Sequence, residues 1–230
     1  DMTSRFEKIV VLFKKKYNFV SFDDYLSGNV AGNKINLIVA FDDGYESWFK
    51  FGLPLFIKYN LKPILFVNSD YIGLEKAAAF RYCSENINTW GEGSLTWPNL
   101  IELKGAGCVI GGHSIKHTDL TDTGLGAREM HSHVDMDKRA IDEKLDQCTK
   151  IFAYPYGRWN NSTVTAAKAA GYKYAFTSDS GYLEASENCL TLKRTNVGMR
   201  MPIVASAYAG GWSEKVTEHM AVIRSFFNGY

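Results

Sequence analysis

The sequence has no CxxC pair, no excess of charge of either sign and no apolar run near the ~20 residues that a membrane span needs. Its four cysteines are widely spaced, and a chain of 230 residues does not need disulfide staples, so we expect free thiols. Lys and Arg number 26 against 25 Asp and Glu, which argues against a nucleic-acid partner held by a basic field. No repeat or linker-like tract divides the chain, so we predict one domain over residues 1–230.

Short apolar runs alternate with helical patterns along most of the chain. The runs read as strands are residues 35–41, 63–67, 108–112, 151–154 and 174–177. Continuous apolar strands separated by helices predict a parallel sheet that is covered on both faces. The pattern alone fits either an open doubly wound sheet or a (β/α) barrel. In both architectures, catalytic residues are expected where strands end.

Two adjacent carboxylates, Asp42 and Asp43, directly follow the first of these runs. Carboxylates at the mouth of a buried strand are costly unless a cation or hydrogen bonds balance them. The Asp43-Gly44 step is also ordinary turn chemistry. A second acidic pair, at residues 23–24, reads only as the start of a helix, so the Asp42 pair by itself leaves turn and site equally open.

Two histidines, His113 and His117, follow the run at residues 108–112. On a helical turn, side chains four residues apart face the same way and can share one metal ion, although two surface histidines also reach this spacing by chance. Two His and one Asp make a three-ligand set that leaves positions open for water and substrate, as in catalytic zinc sites. The second Asp is then free to take a proton from a water whose pKa the metal lowers towards ~7.

A third polar cluster, Tyr154-Pro155-Tyr156-Gly157, ends the run at residues 151–154. Pro155 fixes the backbone direction, and Gly157 permits close approach of a ligand. A backbone N–H held in this loop is able to stabilise an oxyanion. Taken alone, the cluster also fits a simple turn.

In this order, the three clusters resemble the motifs of the polysaccharide deacetylases, the NodB-homology proteins of carbohydrate esterase family 4. The resemblance extends to Leu95-Thr96-Trp97 and Gly171-Tyr172, and it runs from Phe6 to about Val197. It implies a distorted (β/α) barrel with fewer than eight strands. It also implies hydrolytic removal of an acetyl group from a carbohydrate, typically an N-acetylglucosamine unit.

The resemblance assigns a role to each motif residue. Asp42 is expected to be the general base, and the backbone N–H of Tyr156 is expected to stabilise the tetrahedral intermediate. Pro155 and Tyr156 are expected to contact the substrate. The residues expected to bind a divalent metal, usually zinc but also cobalt or nickel, are Asp43, His113 and His117.

The sequence departs from the family pattern at two positions. Where the family commonly has an Arg that orients the base, this chain has Ala153, and we predict that Arg194 replaces it. The family's late Leu-x-His motif, which supplies a general acid, has no counterpart at residues 190–194. The only late histidine, His219, falls on a predicted C-terminal helix and reads as a surface residue.

Three functions follow as hypotheses. The first is a metal-dependent deacetylase of N-acetylated carbohydrate, and the second is an O-acetyl esterase, for instance on acetylated xylan. The third is a glycan-binding module with an impaired active site. Family members mostly act outside the cytoplasm, but residues 1–20 lack the apolar core of a signal peptide. Because the chain opens at a helix without a clear first barrel strand, we expect a domain excised from a longer chain. The sequence does not set the oligomeric state.

Overall fold

A computed structural model describes residues 2–30, 34–89, 91–183, 188–198 and 220–226. The helices are α1 (Met2–Lys16), α2 (Phe22–Leu26), α3 (Leu53–Tyr59), α4 (Lys76–Tyr82), α5 (Trp97–Gly105), α6 (Ala127–Leu145) and α7 (Asn161–Ala169). The strands are β1 (Tyr17–Phe19), β2 (Ile35–Asp43), β3 (Ile64–Val67), β4 (Val109–Gly112), β5 (Ile151–Ala153), β6 (Tyr174–Phe176), β7 (Tyr182–Leu183), β8 (Thr195–Gly198) and β9 (Met220–Phe226). Within these residues, no helix combines the length and the apolar character that crossing a membrane requires.

The strands form a distorted (β/α) barrel. Six of them run parallel in the order β6-β5-β4-β3-β2-β9, which is fewer than the eight of a complete barrel. The antiparallel β7 adds to β9, while β1 and β8 lie parallel to β2 and β9. A parallel bridge from Phe176 to Leu192 joins the end of β6 to the segment that leads into β8. The predicted fold class and the five predicted strands are confirmed.

The barrel interior is apolar up to the carboxyl ends of the strands. Ile38 and Ala40 of β2 face this interior and share a buried cluster with Ile64 and Phe66 of β3. On the outer face of β2, Phe41 packs edge-on against Phe6 of α1, with 5.9 Å between ring centroids. Because strand side chains alternate between faces, the residue after Phe41 continues the interior row at the mouth of the barrel.

The prediction of a C-terminal helix is wrong for residues 220–226, which form β9 beside β2. A short apolar run such as Met220-Ala221-Val222-Ile223 satisfies helical spacing as well as the continuous pattern of a buried strand, so periodicity does not decide between them. The strand pairs in register with β2, for example Val222 with Ile38. His219 lies outside the described residues.

Parallel strands deliver their carboxyl ends to one edge of the barrel. The residues that follow β3, β4, β5 and β6 therefore meet those at the end of β2. They are Asn68, His113, Tyr154 and Thr177. This edge brings together the three polar clusters identified in the sequence.

Candidate active site

Asp42 and Asp43 are the last two residues of β2, and both side chains are buried. Asp42 continues the interior row of the strand. Regular alternation would point Asp43 to the other face, but its φ of 87° takes the backbone out of strand geometry. Nε2 of His113 lies 3.5 Å from Oδ2 of Asp42 and 3.6 Å from Oδ1 of Asp43. Both carboxylates therefore converge on one imidazole.

The two histidines lie on a tight turn and not on the helical turn that their spacing predicted. Ser114 and His117 have φ values of 62° and 56°, in the left-handed region that a helix does not use. The turn nevertheless brings the rings of His113 and His117 to 4.9 Å between centroids. Nε2 of His117 is 3.4 Å from Oδ1 of Asp43. A local backbone reversal thus achieves what we expected from helical periodicity.

The second nitrogen of each imidazole is held by a backbone carbonyl. Nδ1 of His113 lies 2.6 Å from the carbonyl oxygen of Ala153, and Nδ1 of His117 lies 3.2 Å from that of Asn86. Because a carbonyl oxygen only accepts, each Nδ1 carries a hydrogen, and in the neutral imidazole Nε2 then has the lone pair. This is the arrangement that orients metal-binding histidines in proteins.

These three side chains fit a divalent cation. Their ligand atoms lie within 4.8 Å of one another, and Nε2 of His117 is buried with no hydrogen-bond partner. Two zinc ligands about 2.0–2.1 Å from the ion at tetrahedral angles are about 3.3–3.4 Å apart. The observed separations of 3.4 and 3.6 Å between Asp43 and the imidazole nitrogens are close to that value. A carboxylate with two imidazoles is also a donor set that zinc prefers.

Arg194 and Asp42 form a bidentate ion pair. Nη1 donates to Oδ1 at 2.8 Å, Nη2 donates to Oδ2 at 3.3 Å, and both side chains are completely buried. Nε of Arg194 donates to the carbonyl oxygen of Thr177 at 2.9 Å, and the guanidinium lies 5.2 Å from the ring centre of Phe66. A fixed cation at this distance favours the ionised carboxylate and restricts its orientation. The position where the family commonly has Arg is occupied here by Ala153, whose backbone carbonyl oxygen contacts Nδ1 of His113.

The loop after β5 places Tyr156 beside the histidines. Tyr156 has a φ of 57°, and its ring meets the ring of His117 edge-on at 4.5 Å. Its hydroxyl donates to the carbonyl oxygen of Asn86 at 2.9 Å, and burial, followed by the negative charges of nearby carboxylates, raises its pKa. Tyr156 is 39% exposed, whereas Pro155 is buried behind it. A substrate can therefore reach the tyrosine, while Pro155 shapes the loop.

Asp137 on α6 is hydrogen-bonded to the backbone of the turn that carries His113 and His117. Its two oxygens accept the backbone N–H groups of Ser69 and His113, both at 2.9 Å. Complete burial raises the pKa of Asp137 to about 7, even though these two donors act in the opposite direction. The carboxyl group thus ties the ends of β3 and β4 together.

Asn68 braces the same turn from the end of β3. Its side-chain amide donates to the carbonyl oxygens of His113 at 2.7 Å and Ser114 at 3.0 Å. These bonds satisfy two buried carbonyl groups in a turn whose left-handed residues prevent regular pairing. Asn68 therefore helps to hold the first histidine in place.

A family model for polysaccharide deacetylases matches residues 29–175. The chain belongs to this family. The match spans all three polar clusters and ends before Arg194, so it is independent of the ion pair between Arg194 and Asp42.

Sequence comparison relates this polysaccharide deacetylase to YxkH of Bacillus subtilis (strain 168), whose name assigns it provisionally to the same family. The two are 27% identical over 165 residues, which is 72% of this chain and 52% of YxkH. The chain therefore spans about half the length of the curated relative that it matches.

Two solved structures show the same fold. The Streptococcus pyogenes deacetylase PplD, in complex with acetate, has a TM-score of 0.65 at 24% identity over 83% of this chain and 78% of PplD. A de-N-acetylase from Aggregatibacter actinomycetemcomitans has a TM-score of 0.70 at 16% identity over 87% of this chain and 86% of the other. At these identities, the likeness establishes the architecture of the polysaccharide deacetylase.

Asp137 and Asn68 are functional residues that were not predicted from the sequence, although each leaves a signal there. Asp137 falls on the buried stripe of α6, three residues after Val134 and four before Ile141, where an apolar side chain is expected. Asn68 directly follows a strand, as the other polar clusters of this polysaccharide deacetylase do. A carboxylate on an apolar stripe and an amide at a strand end are both detectable without a structure.

Proposed function

We propose that this chain is a metal-dependent hydrolase that removes acetyl groups from N-acetylated carbohydrate. The observation that carries the proposal is the different environment of two adjacent carboxylates. Asp42 is paired with Arg194, whereas Asp43 faces the Nε2 atoms of two histidines. A carboxylate paired with a cation suits the role of proton acceptor, and a carboxylate that faces two imidazoles suits the role of metal ligand.

In this proposal, Asp43, His113 and His117 hold a divalent cation, with zinc expected first and cobalt or nickel as substitutes. When bound, such a cation polarises the acetyl carbonyl and makes water a stronger nucleophile near neutral pH. The carbonyl groups of Ala153 and Asn86 keep the two imidazoles oriented towards the ligand position.

Asp42 accepts the proton of the attacking water. Its Oδ2 lies 3.3 Å from Nη2 of Arg194 and 3.5 Å from Nε2 of His113, on the side of the metal ligands. Arg194 keeps the carboxylate ionised and stationary, which supports its role as a general base. The water oxygen bonds to the acetyl carbon and the carbon–nitrogen bond breaks. The proton held by Asp42 passes to the departing nitrogen, so the products are the free amine of the sugar and acetate.

The backbone N–H of Tyr156 is assigned to the developing oxyanion. The edge-on contact of its ring with His117, at 4.5 Å, keeps this residue next to the ligand cluster. A positioned backbone donor at such a site contributes about 10²–10³ in turnover.

Acetate release from a panel of substrates tests this function. N-acetylglucosamine oligomers and acetylated xylan are incubated with zinc or cobalt, and again with a chelator. Asp42→Asn serves as the inactive variant, and Asp23→Asn serves as its control because Asp23 is an exposed member of the chain's other Asp-Asp pair.

The proposal predicts chelator-sensitive release from the N-acetyl substrates by the unmodified chain and by Asp23→Asn only. Release from xylan alone would replace it with the O-acetyl esterase. No release from any substrate, with zinc bound and oligosaccharide still retained, would replace it with a glycan-binding module.

A further inference from the structure

The loop after β5 carries two exposed aromatic side chains, Tyr156 and Trp159. Each is 39% exposed, and both lie at the same end of the barrel as the ligand cluster. Three residues of chain span at most ~11 Å, so a single glycan strand can reach both. Other exposed large apolar residues, such as Ile57 and Ile101, lie on helices around the barrel.

Trp159 is held in place by its polar edge. Its indole Nε1 donates to Oδ2 of Asp179 at 2.9 Å. The carbonyl oxygen of Asp179 accepts the backbone N–H of Arg194 at 3.0 Å, and its N–H donates to Oγ1 of Thr177 at 3.1 Å. The Trp159 ring is therefore hydrogen-bonded to Asp179, whose backbone pairs with Arg194, the partner of the proposed general base.

Arg158, which lies between the two aromatic residues in the sequence, is also exposed. Its guanidinium donates to a carboxylate oxygen of Asp119 and lies 5.5 Å from the ring centre of Tyr156. Tyr156, Arg158 and Trp159 are thus each held by a different part of the chain. Their conformational entropy is lost before any ligand arrives, which lowers the cost of binding.

The hydrogen bond to Asp179 engages the edge of the Trp159 indole and does not cover its faces, and the residue is 39% exposed. Exposed apolar surface that is rigid and lies beside a catalytic site is typical of ligand recognition. A pyranose ring with equatorial substituents presents a flat face of C–H groups. That face matches an indole, whereas an axial hydroxyl would lift the sugar away from it.

We propose that Trp159 forms a sugar-binding subsite that stacks against a pyranose next to the residue being deacetylated. This inference rests on the proposed function and deepens it, because it makes an oligosaccharide or polysaccharide with equatorial substituents the substrate. A monosaccharide or a small ester does not reach the subsite.

Steady-state hydrolysis by Trp159→Ala and Trp159→Phe tests the subsite with two substrates. For the N-acetylglucosamine tetramer, Trp159→Ala is expected to lower kcat/KM about tenfold, mainly through KM, which corresponds to about 1.4 kcal/mol. Hydrolysis of 4-nitrophenyl acetate is expected to stay unchanged. Trp159→Phe keeps an aromatic face and should retain most of the tetramer activity, while Ile101→Ala, an exposed site on α5, should match the unmodified chain.

Calorimetric titration of the chelator-treated chain with the same tetramer separates this inference from the proposed function. Weaker binding by Trp159→Ala than by the unmodified chain supports the subsite even where no acetate is released. Equal tetramer binding by the two proteins would overturn it, as would no tetramer binding by the unmodified chain. An equal loss of ester hydrolysis and tetramer hydrolysis in both Trp159 variants would also overturn it, because the residue would then act only on the fold.

Discussion

Replacing Arg194 by Met removes the guanidinium from a completely buried ion pair with Asp42. Leaving one partner of such a pair in the interior costs about 3–5 kcal/mol. The variant also loses the bond from Nε to the carbonyl oxygen of Thr177, which contributes about 1 kcal/mol. We therefore expect Arg194→Met to lower the free energy of unfolding by about 4–6 kcal/mol.

A double-mutant cycle isolates the part of this loss that belongs to the pair. Asp42→Asn removes the negative charge, so a neutral Met at position 194 then faces a neutral amide. Arg194→Met should consequently cost about 2–3 kcal/mol less in the Asp42→Asn background than in the unmodified chain. This difference is the coupling energy of the two side chains.

Urea denaturation in the presence of a chelator measures all four members of the cycle without a contribution from bound metal. The exposed pair of Lys58 and Glu7, with 2.6 Å between Nζ and Oε1, is a matched control whose coupling should stay below about 1 kcal/mol. A coupling between Arg194 and Asp42 no larger than that of the control would show that the ion pair does not hold the carboxylate.

Two further predictions concern the loop after β5 and the thiols. Gly157→Ala should lower the free energy of unfolding by about 2–5 kcal/mol and reduce turnover, because φ is 71° and a Cβ would lie 2.5 Å from the backbone nitrogen of Ser178. Gly105→Ala, where nothing lies within 4 Å of the added Cβ, is the control. It should change the free energy of unfolding by less than about 1 kcal/mol in urea denaturation and the rate of acetate release by less than about twofold. Cys108 and Cys148 line one cavity of about 290 Å³. Of these two thiols, only the exposed Cys148 should react with a disulfide reagent in the native state, because burial raises the pKa of Cys108 to about 12. Rapid native labelling of Cys108, read by peptide mass spectrometry, would contradict the burial.

The central strands and the polar clusters were predictable because a single rule governs both. A continuous apolar run that stops abruptly at polar residues marks a buried parallel strand and its carboxyl end. Such runs are β2 and β4, which end at Asp43 and just before His113. Neither prediction required knowledge of distant contacts, since the parallel arrangement brings the strand ends together.

Other features depend on information that local patterns do not carry. The left-handed φ values at Ser114 and His117 occur at residues that are not glycine, so the sequence suggested a helix where the chain makes a turn. Arg194 and Asp42 are 152 residues apart, and the sequence offered Arg194 only as a substitute for a missing residue. The short apolar run of the final strand, β9, fits both the helical period and the pattern of a buried strand, so the sequence predicts a helix where the structure has a strand.

The zinc content and the acetate release of Asp42→Asn, measured on the same preparation, test most directly whether Asp42 is the general base and Asp43 the metal ligand. We expect Asp42→Asn to bind zinc in the same ratio to protein as the unmodified chain, with acetate release from N-acetylglucosamine oligomers lowered at least 10²-fold. His113→Ala is the matched comparison and should lose both, because two remaining ligands bind zinc poorly. Loss of zinc in Asp42→Asn, or undiminished acetate release, would contradict the assignment of Asp42 as the base and Asp43 as the metal ligand.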